Sequence, residues 1–273
     1  MAIGGEGGEA EVTTGEARGK RFRSLFLSHG APTLALDRHD PAYAFMQRLG
    51  RELPKPRATI VVSPHWMMRG FAVKSPERFS TWHDFGGFPD ELYRIRYTPA
   101  GDDELALRVH DAIANAELPT AAVTDQRLDH GVWVPLMLMW PQADVPVVQI
   151  SIAPGDPTAH WALGEALRPF AEDGVLVIGS GGIVHNLREL LDPAAPAPEW
   201  AVSFVDWISD RLQAADRDAL IDYRARAPGA LRSHPTEDHL LPLFVAAGAG
   251  GAVHPLYSGF NLGSLGMAAF GFE

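Results

Sequence analysis

The chain has 273 residues, 46% hydrophobic and 21% charged, which is enough apolar sequence for a full globular core and excludes a disordered polymer or a disulfide-stapled miniature fold. Thirty-four acidic against 23 basic residues give a formal charge of -11, which argues against nucleic acid or an anionic membrane surface as partner. Cysteine is absent, so disulfides, thiolate catalysis, iron-sulfur clusters and cysteine-type zinc sites are excluded, and any metal must be held by histidine and carboxylate.

Residues 1–20 contain four Glu and six Gly and lack the basic-then-apolar order of a signal peptide; they are expected as a disordered tail. No apolar run approaches the ~18 residues of a membrane-spanning helix, so a cytoplasmic location is expected. From residue 24 onward, β-rich runs at 24–27, 58–63, 71–74, 146–152, 175–178, 252–256 and 267–272 alternate with helical stretches. Asp40-Pro41 provides an N-cap and first-turn proline for a helix through Leu53, and Asp102 caps one carrying Leu105, Val109, Ala112 and Ile113 at helical spacing. Further helices are predicted over 157–167, 184–191, 199–214 and 237–247. The stripe Trp200, Phe204, Trp207, Ile208 and Leu212 reads as core packing. This pattern predicts one α/β domain over 21–273, a three-layer fold around a mostly parallel or mixed central sheet.

The eleven histidines are informative through their positions. Three apolar strands each run into a turn bearing an imidazole: Ser28-His29-Gly30, Pro64-His65-Trp66, and Gly179-Ser180-Gly181-Gly182 leading to His185. Ligands of α/β sheets bind outside the carboxyl ends of the strands, so these three imidazoles are expected at one crevice. A fourth, His130, precedes an apolar stretch, and His234 and His239 flank Pro-Thr-Glu-Asp. Five residues on a helix rotate a side chain by about 140°, so only one of that pair can face a common ion; His239 is preferred and His234 is the rival. Thr236 reads as an N-cap, with Glu237 and Asp238 complementing the dipole of the first turn. His39, His83, His110, His160 and His254 read as surface or packing residues, although His83 adjoins an aromatic, glycine-rich loop that would suit a substrate mouth. Ser180 lacks GxSxG spacing and reads as a small turn residue.

The segments SHGAP, SPHW, HDFGGFP, LDHGVWVPL, GSGGIVHNL and HPTEDHLLPL, in this order, resemble the class III extradiol ring-cleavage dioxygenases of the LigB superfamily, closest to the 4,5-DOPA extradiol dioxygenase-like branch. The resemblance covers everything beyond the tail. It implies one non-haem metal ion with His29 and His65 as ligands, a catalytic acid-base imidazole at His185 and a supporting one at His130. The third ligand is assigned to His239; Glu237 is a rival because much of the superfamily uses Glu, and His185 is a candidate fourth ligand.

Extradiol cleavage requires a metal with open positions for a catechol-type diol and O2, which three protein ligands leave available. It also requires proton transfer, for which His185 and His130 are the candidates. Fe(II) is the expected working ion. Zn(II) fits the same donors but is inert to O2. Trp66, His83, Phe85, Phe88 and Trp133 are expected to line an aromatic substrate site. The rival readings are a zinc-dependent hydrolase and a non-enzymatic binding protein. The partners are then a small aromatic diol and O2, with oligomeric state unassigned.

Overall fold

Four apolar, largely β-branched runs lie side by side and parallel at the centre of the protein, which the computed structural model describes over residues 13–273. The strands are β1 (Thr13–Thr14), β2 (Ser24–Ser28), β3 (Ala58–Met67), β4 (Phe71–Lys74), β5 (Ser80–Thr81), β6 (Thr120–Ala122), β7 (Arg127–Leu128), β8 (Val147–Ile152), β9 (Val175–Gly181), β10 (Val253–Asn261) and β11 (Leu265–Phe272). Nine form one sheet in the order β1-β10-β11-β2-β9-β3-β8-β4-β6, in which β2, β9, β3 and β8 are the parallel core. Antiparallel neighbours flank it, β11 against β2 and β4 against β8, so the sheet is mixed.

The helices are α1 (Pro41–Glu52), α2 (Asp90–Arg94), α3 (Asp103–Asn115), α4 (His130–Met139), α5 (Pro157–Leu167), α6 (Glu199–Gln213), α7 (Arg217–Ile221), α8 (Tyr223–Arg226), α9 (Ala230–Ser233) and α10 (Leu241–Ala249). Strand alternation distributes the core over two faces. Leu25, Leu27, Val61, Leu176 and Ile178 pack with residues of α1 and α4, whereas Phe26, Ile60, Val62, Val175 and Val177 pack with those of α3, α5, α6 and α10. The result is three layers, helices on both sides of a sheet whose central strands are apolar on both faces. Burial of each of these side chains stabilises the fold by about 1.5–3 kcal/mol before the entropy of ordering is subtracted.

The caps form as read: Asp40 accepts from the Ala42 N–H and Asp102 from that of Leu105. Three expectations are corrected. Residues 184–191 form no helix, because Asn186 uses its side-chain oxygen on the Arg188 N–H and its amide on the Arg232 carbonyl, drawing the backbone into turns. The last predicted helix starts at Leu241, with Pro242 in its first turn, so residues 237–240 form a turn ahead of it and Thr236 is no N-cap.

The expected tail also needs revision within the described residues. Thr13–Thr14 pair antiparallel with β10, the Gly15 N–H donates to the Leu256 carbonyl at 2.9 Å, and Ala17 is 2% exposed in the core. Residues 1–12 lie outside the described residues. No helix among the described residues is long and apolar enough to cross a membrane.

Removing residues 1–20 should therefore lower Tm by a few degrees relative to a chain beginning at Thr13, since a strand pairing and a buried methyl are lost. Differential scanning calorimetry of the two truncations measures the difference; equal melting temperatures would show that 13–20 contribute no stability.

Candidate metal centre

The carboxyl ends of the parallel strands deliver the histidines to one place. His29 follows β2, and its N–H donates to the Gly181 carbonyl at the end of β9 at 3.0 Å. His65 lies within β3, where the register with β8 slips between Ser63 and Met67. Pro64 has no N–H for the ladder, and the irregularity there frees His65 to turn toward its neighbours. His239 comes from the turn before α10. That turn crosses the end of β9 so closely that the Gly182 N–H bonds the His239 carbonyl at 2.9 Å, and a Cβ on Gly181 would lie 2.2 Å from that same oxygen. Only glycine fits at 181.

His29, His65 and His239 offer nitrogen atoms that all lie within 4.8 Å of one another. The Nε2 atoms of His29 and His65 are 3.1 Å apart, and the buried His239 Nε2 has no hydrogen-bond partner. Their far nitrogens are occupied. Ser180 donates its only hydroxyl proton to the Gly131 carbonyl, so its oxygen accepts from His29 Nδ1–H at 3.0 Å. His239 Nδ1–H donates to the Asp238 carboxylate. Both rings thus present an Nε2 lone pair to the centre, the tautomer that a metal-ligating imidazole requires.

Charge reinforces this. Burial first, then the surrounding imidazoles, lowers His29 well below the ordinary range. Burial likewise lowers His65 to about 4 and His239 to about 3, and His185 is lowered for the same reason. These rings are neutral at pH 7, and a cation is the species that relieves the crowding of their lone pairs.

His130 opens α4 and stands beside His65, ring centroids 4.0 Å apart. Its backbone N–H and its Nδ1–H both donate to Asp84, each at 2.9 Å, which leaves Nε2 as its remaining acceptor. Burial raises the Asp84 carboxyl, but the bonds from His130 and the nearby His65 outweigh it, so Asp84 is held below the usual carboxylate range. Gly131 follows because a Cβ there would meet Ser63 Oγ at 2.5 Å and His65 Cδ2 at 2.9 Å. His185 stacks on His239 with the rings nearly parallel, 4° apart, and centroids at 3.4 Å. It stands outside the group of three.

The remaining sequence candidates separate clearly. His234 is fully buried, with Nε2 at 3.0 Å from the Ile183 carbonyl and its ring against Phe204 and Tyr223. Glu237 faces Arg224 at 3.4 Å. Phe85 and Phe88 line a cavity of about 630 Å³ together with His29, His65, His130, His185 and His239. Trp66, His83 and Trp133 do not line it: the Trp66 ring carries the Lys74 ammonium at 4.3 Å, Trp133 is fully buried and donates to the Trp82 carbonyl, and His83 packs beside Phe85 and Tyr93. His83 and Trp133 pack against Phe85 from behind the cavity. Three residues escaped the sequence reading. Ser180, read as a turn residue, is a buried strand residue that holds His29. Asp238, read as a helix-dipole acid, holds His239. Asp84 holds His130, and its only sequence signal was adjacency to His83 in HDFGGFP.

Residues 23–272 match the family described as the catalytic LigB subunit of aromatic ring-opening dioxygenase. The chain is 37% identical over 232 residues to a 4,5-DOPA dioxygenase extradiol of Beta vulgaris, covering 84% of this chain and 87% of the relative. It is 37% identical over 260 residues to one of Escherichia coli K12, covering 90% and 93%. The crystal structure of an uncharacterized Escherichia coli K12 protein superposes with a TM-score of 0.77 at 31% identity, over 93% of this chain and all of the other.

Acidification should destabilise the metal-free protein. His160 and His234, both lowered to about 4 by burial, stay neutral in the fold while the unfolded chain takes up their protons below about 6.5, so stability falls as pH drops from about 6.5 toward 4. Melting curves at pH 7.5, 6 and 5 should show a falling Tm, and a flat profile would contradict the buried neutral state.

Proposed function

Given that the chain belongs to the family of catalytic LigB subunits of aromatic ring-opening dioxygenases, in its 4,5-DOPA extradiol dioxygenase-like branch, we propose that it cleaves a catechol-type diol in extradiol fashion with O2 at a single divalent metal ion held by His29, His65 and His239. Family membership makes the protein an aromatic ring-opening dioxygenase and sets aside the hydrolase and non-enzymatic alternatives. The observation that carries the proposal is the convergence of three imidazoles, His29, His65 and His239, with the buried His239 Nε2 left without a partner. Nitrogen donors alone suit a borderline metal, and three of them leave positions for both diol oxygens and O2. Fe(II) bound there supplies the electron exchange with O2 that zinc, a d10 ion, lacks.

The chain's own residues handle the protons. Neutral His185, in the cavity wall, accepts a proton from one diol hydroxyl on an imidazole nitrogen and returns it as the ring opens. His130 has Nε2 available for the second hydroxyl proton, which the Asp84 carboxylate would help it hold until it is given back to the ring-opened product. Phe85 and Phe88 flank the diol ring and exclude water from it.

Three variants, His29→Ala, His65→Ala and His239→Ala, should each lose bound metal, whereas Glu237→Gln and His234→Gln should keep it, as read by elemental analysis on samples whose fold is checked by circular dichroism. Retention of metal by His239→Ala with loss from His234→Gln would reverse the assignment of the third ligand.

A split phenotype is expected at His185. His185→Gln should retain Fe(II) while ring cleavage, followed by oxygen uptake and by the yellow ring-opened product, falls by roughly 10²-fold or more. Release of iron as complete as from His65→Ala would instead make His185 an obligatory ligand.

A further inference from the structure

We infer that the substrate is a catechol bearing an uncharged, apolar substituent rather than the amino-acid side chain of DOPA, the diol in its relatives' names; the inference rests on the reading of the site proposed above. Beyond the histidines the cavity wall is mostly apolar, with Phe85, Phe88, Val184, Leu187, Leu190 and Met267 among its residues, and Thr33 is the one other polar side chain that the described residues bring to the lining. Among the described residues, no Lys, Arg, Asp or Glu lines it. At about 630 Å³ the cavity lies well inside the range of small-molecule sites and leaves ample room beside a single diol ring. Whatever extends from the ring into that room therefore meets a wall that is mostly hydrocarbon and carries no Lys, Arg, Asp or Glu.

The acidic groups behind the wall are already engaged, and among the described residues the one unpaired charge beside it, Arg188, stands outside the lining. Asp84 serves His130, Asp238 serves His239, and Glu189 pairs with Arg232 at the base of the wall. An ammonium and a carboxylate carried into this cavity would leave water without receiving a counter-charge, the costly case for a buried ion. An alkyl or aryl group loses nothing by leaving water and covers apolar surface: Leu187 and Leu190 are 59% and 41% exposed at the mouth. The wall is also braced. The Leu191 N–H donates to the Leu262 carbonyl at 3.0 Å, Ser264 Oγ to the Glu189 carbonyl at 2.7 Å, and Asn186 Nδ2 to the Arg232 carbonyl at 2.7 Å. Arg188 is exposed on the rim between the two leucines and is not part of the lining.

The test compares 4-tert-butylcatechol, L-DOPA and 3,4-dihydroxyphenylacetate on the Fe(II)-loaded protein, with anaerobic calorimetry of the Zn(II)-loaded protein as a binding readout independent of turnover. The expected result is a kcat/KM for 4-tert-butylcatechol at least about tenfold above that for L-DOPA, carried mainly by KM, and the same order of affinities by calorimetry. The double variant Leu187→Ser/Leu190→Ser should raise KM for 4-tert-butylcatechol several-fold more than KM for unsubstituted catechol; an equal change for the two diols, or none, would overturn the inference. Arg188→Ala should leave the ranking intact, and selective loss of 3,4-dihydroxyphenylacetate binding would overturn it by making the rim arginine a carboxylate clamp. L-DOPA bound and opened as well as the alkyl diol would overturn it while leaving ring cleavage standing. If no diol is opened but the zinc form still binds 4-tert-butylcatechol more tightly than L-DOPA, the ring-cleavage reading fails and the inference about the cavity stands.

Discussion

The organisation of this protein depends on keeping several buried imidazoles neutral and oriented within one cluster. His29, His65 and His239 stand close enough that protonating two of them would place positive charges a few ångströms apart in a largely buried site. A neutral imidazole has one N–H and one lone pair, and burial demands a partner for the N–H. Ser180 and Asp238 provide that partner for His29 and His239, and Asp84 does so for His130. Each partner decides which nitrogen is left facing the centre. The chemistry available to the site thus follows from hydrogen bonds made on its outer side.

The sheet is what makes these bonds simultaneous. Four parallel strands end on the same edge, so His29, the bulged end of β3 and the glycine-rich end of β9 arrive together without long connecting loops. The turn carrying His239 can lie across β9 only because position 181 has no side chain, and α4 can begin against His65 only because position 131 has none. Apolar on all sides, α4 is buried under the site as part of the core and carries His130 at its first residue, on a rigid element.

Two kinds of surface meet in the cavity. At its base, nitrogen donors are backed by carboxylates and a hydroxyl; toward its mouth, aromatic and aliphatic side chains predominate and, among the described residues, no Lys, Arg, Asp or Glu lines the wall. The aromatic residues that miss the cavity, Trp133 above all, fill the space behind Phe85 and His83 and keep the loop carrying Asp84 in place. Packing and chemistry are separated by one layer of side chains.

The sequence by itself determined the α/β class, most of the strands and helices, the two aspartate caps, and the set of histidines from which the cluster is drawn. These features are local: periodicity, capping residues and strand-end glycines act over a few neighbours in the chain. Only the tertiary structure decided which histidine of the 234–239 pair faces the others, that residues 184–191 form a braced wall and no helix, that residues 13–20 join the body, and that Phe85 and Phe88 reach the cavity while Trp66 and Trp133 do not. It also decided the roles of Ser180, Asp84 and Asp238, whose partners are an imidazole 151 residues away, one 46 residues away and one next in sequence. The physical reason is the same throughout: propensity and pattern specify how a segment folds on itself, whereas the direction of a side chain in a turn, and the identity of its partner, are set by contacts with strands distant in sequence.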